Sequence, residues 1–535
     1  MRSDDILIRQ CEKHLCNDND LAKNRQRRFR RGMHAIALLA LASLVACGGD
    51  SDQQTMAQQS RVSVTGMAAG VSPFIELIHV QGNEFDKLAS VEFTIQPKTG
   101  ALSRPVHVTQ TLAWLMRQGH HVTGSNALDI PVFGLYANFT NSVGIQLHFT
   151  DDSSTALNVS VPAAAYVDSN GIYDKLQVLV PRTVASLGYD YFFLKGTGSP
   201  IIVDTDGQIR WSRGASTQDV SHTFLDNGGF FIGSGVSLGT TDLQLDGQET
   251  QGAVTSPASP LLTDFHHNLD PGKSGMLAEF DADKGGVDYI ETILGEIDQG
   301  GNILQDWDLG DIISQYMQSQ GDDPTLFVRP GVDWFHMNAS TYDPTDDSVI
   351  VSSRENFLIK LDYQTRQIKW IFGDPTKYWY TFPSLRAKAL TLASGLYPIG
   401  QHGISLVGPH QLLLFNNGYP SFQQPAGAPV GDSRNYAAVV AYSIDEAGKT
   451  VTQLWNFDHG QTIQSNICGD AAQASGGSVL VDYAYSTESG ALVPQNRLIG
   501  LTADHAVAFD FALPTTLCGA TFNAQLINLD SLSLQ

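Results

Sequence analysis

Residues 347–374 read DSVIVSSRENFLIKLDYQTRQIKWIFGD. An apolar strand ends at SSREN, a second runs to Asp362, and a polar turn leads into a third that ends on Trp370 and a Gly-Asp pair. The same cadence recurs in DTDGQIRWSRG (204–214), EIDQGGNILQDWDLGD (296–311) and SIDEAGKTVTQLWNFDHG (443–460). Each is an apolar strand, an Asp-x-x-Gly type of turn whose residues supply positive φ, and a strand that closes on a tryptophan suited to packing between sheets. Four-stranded units repeating every ~40 to 70 residues are the pattern of a β-propeller. A large two-sheet sandwich is the competing architecture. The recurrence of the tryptophan cadence around matching histidines favours the propeller, expected over residues 166–535.

Working outward, residues 66–165 hold shorter alternating segments: SVEFTIQPK, PVHVTQTLAW, VGIQLHFTD and ALNVSVPAA. Period-2 alternation broken by turn signals such as Pro-Lys-Thr-Gly predicts a small N-terminal β-sandwich. Residues 47–65 are polar and read as a flexible tether. Residues 1–46 read as a lipoprotein-type signal peptide. The basic stretch RQRRFRR (25–31) precedes an apolar run from Ala35 to Ala46, too short to span a bilayer. Leu44-Val45-Ala46-Cys47 resembles a bacterial lipobox, which makes Cys47 the expected lipid anchor. The expected location is the periplasmic side of a bacterial envelope, with the membrane met only through the lipid. Gly48, in place of the aspartate that favours inner-membrane retention, points to the outer membrane.

The chain has 535 residues, 42% of them hydrophobic, with 50 glycines and 25 phenylalanines. That composition suits a globular, β-rich protein. Residues 1–46 hold nine Lys+Arg and five Asp+Glu, which leaves 23 against 50 and a net charge of −27 for the remainder. Such a balance argues against a nucleic-acid partner. It also requires a local positive site for any anionic substrate. Of the five cysteines, Cys468 and Cys518 remain after Cys11, Cys16 and Cys47 are set aside, and an exported protein could pair them. No CxxC or Cys/His spacing suggests zinc, and no metal or other cofactor is expected.

Three histidines open successive units: His266 in TDFHHNLD, His336 in DWFHMNAS and His402 in GQHGISLV. Arranged radially, such positions converge on one axis. Asn338 stands two residues after His336, on the same face of a strand, and Asn268 stands likewise after His266. That parallel favours His266 over its neighbour His267, although HH allows either register. Arg354, near the end of the next apolar strand, offers a fork of donors suited to a tetrahedral oxyanion. Imidazoles with a guanidinium point to chemistry on an oxyanion such as sulfate or phosphate. Phe265, Trp334, Phe335, Trp379, Tyr380 and Tyr419 are aromatic candidates for receiving a ring.

The ordered set HHNLD, DWFHMNAS, SSRENFLIKLD, KWIFGDP, GQHGISL, LLLFNNG and SRNYAAVVAYSID, over roughly residues 70–530, resembles the bacterial arylsulfate sulfotransferase family. The resemblance implies a six-bladed propeller with its site at the channel centre. It implies transfer of a sulfuryl group from an aryl sulfate donor to a phenolic acceptor, without a nucleotide donor. No Walker-type glycine loop occurs here, in keeping with that. Carried over, it makes His402 the nucleophile of a ping-pong reaction through sulfohistidine. His266, His336, Asn338 and Arg354 then hold the sulfuryl oxygens, and His266 or His336 moves the phenolic proton. His267, Phe335 and Trp334 complete the expected substrate contacts. The resemblance is also consistent with a homodimer. One departure is plain: some members carry a close cysteine pair before the nucleophile, and TLASGLYPIGQHG (391–403) has none. Two other functions compete. A non-catalytic envelope scaffold lipoprotein predicts dispensable histidines, and a metal-dependent hydrolase predicts imidazole-bound metal.

Overall fold

The computed structural model describes residues 62–196, 200–213, 219–488 and 493–535. The expected signal peptide and the Cys47 anchor lie outside the described residues. The strand Val62–Ala69 begins inside the stretch expected to be tether, because Val62, Ser63 and Val64 already pair with the strand Ile75–Gly82.

Eight sheets are formed among the described residues, with largely antiparallel pairing. Two belong to the N-terminal region. A three-stranded sheet (Val62–Ala69, Ile75–Gly82, Ala127–Phe133) and a five-stranded sheet share one apolar core of Ile78, Ile130, Phe93 and Leu147. The edge of the five-stranded sheet is Leu532–Leu534, parallel to Val106–Thr111, so the chain's last strand returns to the N-terminal unit. The boundary expected at residue 165 is therefore crossed at the far end of the chain. Trp211, Phe230 and Leu243 extend the same core into the sheets that follow.

The other six sheets form a propeller. Their inner strands are Asp219–Leu225, Leu261–Pro271, Met337–Asp343, Gln401–Gly408, Asp470–Gln473 and Asn523–Ile527. Each touches the next, and Asn523–Ile527 touches Asp219–Leu225, so the cycle closes. Closure uses both chain ends of the unit: Asn523–Ile527 pairs with Tyr191–Lys195. Nearby, Cys468 and Cys518 form a disulfide that ties the segment before Asp470–Gln473 to the loop before the closing strand.

The tryptophan cadence explains how the sheets stack. Each of these tryptophans stands on an outer strand and reaches the next sheet. Trp211 lies 4.9 Å from Phe230 and donates to the Leu245 carbonyl, and Trp307 meets Tyr363 edge-on at 5.1 Å. Trp370 donates to Glu446 at 3.1 Å, and Trp455 stacks on His505 at 4.0 Å. The preceding turns carry positive φ at Gly207, Gly301, Arg366 and Lys449. The strand rhythm does not anticipate the helix Leu309–Ser319. Asp308 caps it by accepting from Asp311 N at 3.0 Å, and Leu309, Ile313 and Met317 bury one face at i, i+4 and i+8. No helix among the described residues is long and apolar enough to cross a membrane.

Candidate active site at the start of the inner strands

His402 is the second residue of its inner strand, where a bulge separates the pairs His402–Phe415 and Ile404–Leu414. The bulged residue, Gly403, has φ +44, and a Cβ there would lie 2.1 Å from Asp470 Oδ1. Only glycine permits that approach. His336 precedes Met337–Asp343, and His267 lies in a bulge of Leu261–Pro271; both have positive φ, +52 and +45. Strained backbone of this kind persists where the surroundings over-determine it. The result is a cluster of rings: His267 lies 4.8 Å from His336 and 6.1 Å from His402, and His336 lies 6.4 Å from His402. His266 packs edge-on against His267 at 4.3 Å.

The two adjacent histidines differ in backbone conformation, although both reach Glu291. His267 shares the left-handed backbone of His336, and its ring meets the other two. The expected parallel between Asn268 and Asn338 does not hold. Asn268 accepts from Lys195 Nζ at 2.8 Å and donates to Asp270 at 2.6 Å, further along the channel, whereas Asn338 donates to the Gln401 carbonyl at 2.8 Å beside His402.

Carboxylates organise the imidazoles. His266 Nε2 lies 3.1 Å from Glu291 Oε1, and His267 Nε2 and His336 Nδ1 lie 3.2 and 3.0 Å from Glu291 Oε2. Asp333, three residues before His336, accepts from the same Nδ1 at 2.7 Å. Two sets, His266–His267–Glu291 and Glu291–Asp333–His336, bring their ligand-type atoms within 4.8 Å of one another, close enough to hold a divalent cation.

Hairpin pairing places Arg354. Met337 faces Ser353, and Arg354 N donates to the His336 carbonyl at 3.0 Å. The guanidinium is buried, donates to Glu355 at 2.8 Å and to the Asn466 carbonyl at 3.3 Å, and stacks on the Phe422 ring at 3.7 Å. Phe422 belongs to a strap pinned to Glu355, whose carboxylate accepts from Phe422 N and Gln423 N at 3.1 and 2.8 Å. Lys377 Nζ donates to the Arg354 and Glu355 carbonyls, and burial pulls its ammonium down to about 8.

Burial, then the charges of Arg354 and His336, hold the His402 imidazole well below the ordinary histidine value. Burial and the surrounding cations depress His267 likewise. At His336 burial acts in the same direction, but the Glu291 and Asp333 carboxylates outweigh it and hold the ring well above the ordinary value. At neutral pH the site therefore contains a neutral His402 beside a cationic His336 and Arg354. The Nε2 of His402 is buried and has no hydrogen-bond partner among the described residues, so it is free to act on a substrate.

Trp334 and Phe335 are placed otherwise than expected. Both side chains lie in the apolar core with Phe327 and Phe357, and only their carbonyls serve the site region, accepting from Asn356 and Ser353. Adjacent to His336 in sequence, they lie in the core because the chain bends before Met337, with His336 itself in the left-handed region at φ +52. Phe265 and Trp379 are core residues too, whereas Tyr419 packs on Phe422 at 5.1 Å. Sequence reasoning missed Glu291, Asp333, Glu355 and Phe422. Asp333 was within reach, as a carboxylate three residues before a singled-out histidine. Glu291 sits in IETILGEI, which carries no sign beyond strand.

Further along the same inner strands lies a cavity of about 710 Å³ lined by Lys195, Asn268, Asp270, Gly403, Asp470 and Asn523, among others. Burial raises Asp270 and Asp470 to about 6 and the fully buried Asp482 to about 8. Lys195 stands among them.

A family model described as arylsulfotransferase (ASST) matches residues 168–511. Among curated proteins, the chain is 23% identical to the arylsulfate sulfotransferase AssT of Escherichia coli O6:H1 (strain CFT073) over 439 residues, covering 61% of this chain and 70% of that protein. It is 22% identical over 430 residues to the AssT of Lelliottia amnigena, with the same coverage. Among solved structures, the β-propeller domain of Cps50 (Swd1) from Myceliophteria thermophila aligns over 65% of this chain and 98% of that domain, at 14% identity and a TM-score of 0.31. The family model spans the whole of the histidine cluster, Arg354 and the strands that carry them, and the chain belongs to the arylsulfotransferase family.

Proposed function

We propose that this protein transfers a sulfuryl group from an aryl sulfate to a phenol through a sulfohistidine at His402. The observation that carries the proposal is the buried, unpartnered Nε2 of a neutral His402 beside the cationic Arg354 and His336. In the first half-reaction the Nε2 lone pair attacks sulfur and the sulfur–aryl oxygen bond breaks. The leaving phenolate takes its bonding pair and receives a proton from His336 Nε2, the ring nitrogen not engaged by Asp333 and Glu291. Arg354 and the Asn338 amide hold the sulfuryl oxygens as charge shifts onto the leaving oxygen. In the second half an acceptor phenol returns its proton to His336, its oxygen attacks sulfur and the sulfur–nitrogen bond breaks. Protons and charge balance over the cycle, and the imidazole attacks without a metal. Phe422, already stacked on Arg354, offers an aromatic surface for the phenol ring.

The test is nitrophenolate release from 4-nitrophenyl sulfate with and without phenol, for wild type and His402→Ala. Phenol-dependent release, lost in the variant, is expected. Release indifferent to phenol would point to a hydrolase. No release from several aryl sulfates by the folded protein would favour the scaffold function.

The same reading places the protein on the periplasmic side of the envelope, lipid-anchored at Cys47. The lipobox-like LVAC and the Cys468–Cys518 disulfide, a bond that persists in oxidising compartments, both support it. Incorporation of labelled fatty acid into wild type but not Cys47→Ser is the expected result.

A further inference from the structure

Glu291 takes no direct part in the reaction as proposed, yet the fold deforms itself to deliver it. It stands near the start of the third strand of its sheet, Asp288–Ile297, two strands removed from the inner one. The pairing slips there, with Phe280 facing Ile293 and Ala282 facing Tyr289, so residues 290–292 bulge opposite Asp281. Glu291 has φ +49, a costly conformation for a residue with a Cβ, and its N–H is tied to Asp281 Oδ1 at 2.7 Å. Through that bulge a carboxylate only 1% exposed reaches three imidazoles.

We infer that Glu291 is a positioning residue of the transfer reaction, gathering His266, His267 and His336 and fixing His336 with its Nδ1–H toward the carboxylates so that Nε2 carries the proton for the leaving phenolate. The inference rests on the sulfuryl-transfer function proposed above. Two carboxylates converge on one nitrogen, Asp333 at 2.7 Å and Glu291 at 3.0 Å from His336 Nδ1. That is how a donating imidazole is held; a metal-bound Nδ1 has no proton to give either oxygen. With two oxygens serving three rings, Glu291 also fixes the distance between His336 and His267. It also supplies negative charge beside His336.

The experiment compares wild type, Glu291→Gln and Glu291→Asp with 4-nitrophenyl, phenyl and 4-methylphenyl sulfate, reading kcat/KM for each donor at fixed phenol. A weaker proton donor matters more as the leaving phenolate becomes more basic. Glu291→Gln is therefore expected to lose about 10-fold with the nitrophenyl ester, whose leaving group needs little protonation, and about 10³-fold with the methylphenyl ester, the larger loss lying within the range general acid help supplies. Glu291→Asp, which keeps the charge, falls between. A loss equal across the three esters, or none, overturns the inference while the function stands. If the Gln variant does not fold, the Asp variant alone decides by the same dependence. A stoichiometric divalent metal in purified wild type, with transfer abolished by chelator, overturns it in favour of a metal site at the same residues. Failure of wild type to transfer from any ester is the failure of the proposed function instead.

Discussion

At or just before the start of their inner strands stand His402 and His336, with His267 beside them at the bulge of its own strand; a few residues on, the same or neighbouring strands present Asp270, Ser340 and Asp470. Both regions are buried, polar and crowded with titratable groups, but they are satisfied in different ways. Along the channel Lys195 is matched by Asn268 and the Leu269 carbonyl, Asp270 accepts from Ser340 N at 2.9 Å, and Asp482 accepts from Asn496 and Thr521 at 2.6 and 2.9 Å. At the strand starts, His402 Nε2 and Asn338 Oδ1 are buried without a partner among the described residues. Unpartnered buried oxygens occur along the channel too, at Ser340 Oγ and Glu279 Oε1 among the described residues; what sets the strand starts apart is that the unpartnered atom there is a neutral imidazole nitrogen, a nucleophile beside two cations. The backbone gives the same contrast. Left-handed conformations gather at His267, Glu291, His336 and Gly403.

Substitutions at the strand starts should cost activity, and those further along should cost stability or little. After the loss of transfer expected for His402→Ala, the largest effect is expected for His336→Ala, with kcat/KM for a poor-leaving-group donor falling about 10² to 10⁴-fold and a lowered melting temperature, since Glu291 and Asp333 lose their buried cation. Serine at both Cys468 and Cys518 should act on stability alone. Opening a loop with a sequence separation of 50 costs about 4 kcal/mol in the chain-entropy account, read by denaturant unfolding, with transfer at low temperature intact. Arg354→Lys keeps the charge but loses the fork and the flat stacking surface against Phe422. It should lower kcat about 10²-fold, and a fully active Lys variant would reduce Arg354 to a point charge.

The two regions should also part company with pH. Neutral His402 and cationic His336 persist across neutrality, because the first is held well below and the second well above the ordinary value. The pH profile of kcat/KM should accordingly be flat around neutral pH. Stability should not be flat. Asp482 has its folded-state value raised to about 8, so its contribution is fully present below the ordinary aspartate value and is lost as pH rises through about 8. Thermal melts of wild type should show a fall in that window, and Asp482→Asn should remove that component. The smallest effect is expected for Asp270→Asn in the channel cavity, with transfer within about threefold of wild type, since truncating a satisfied polar pair away from the chemistry acts on stability.

The tryptophan cadence was legible because it is local: strand, turn and tryptophan lie within about 20 residues of one another, and each tryptophan then meets its neighbouring sheet. His336, His402, Arg354 and Asn338 were legible for the same reason, as each stands at a fixed offset from a strand start or a hairpin partner. Which of His266 and His267 meets the other two rings was not, because that follows from a bulge and a left-handed φ that either histidine could adopt. Glu291 was not legible at all. A bulge two strands away delivers it, and alternation along IETILGEI alone does not reveal that. Trp334 and Phe335 misled through proximity in sequence, since a bend and the left-handed backbone of His336 turn them into the core. The helix Leu309–Ser319 was hidden in DWDLGD, where an Asp-Gly turn pattern and an N-cap look alike.

The central claim is that His402 is the group that carries the sulfuryl between donor and acceptor. Its most direct test is to mix the protein with 4-nitrophenyl sulfate without phenol, quench, digest and weigh the peptides. The account predicts a peptide spanning His402 heavier by one sulfuryl group, formed with a burst of nitrophenolate equal to the enzyme and discharged on adding phenol. Turnover in the presence of phenol with no such adduct and no burst, or an adduct on another residue that persists in His402→Ala, would contradict it.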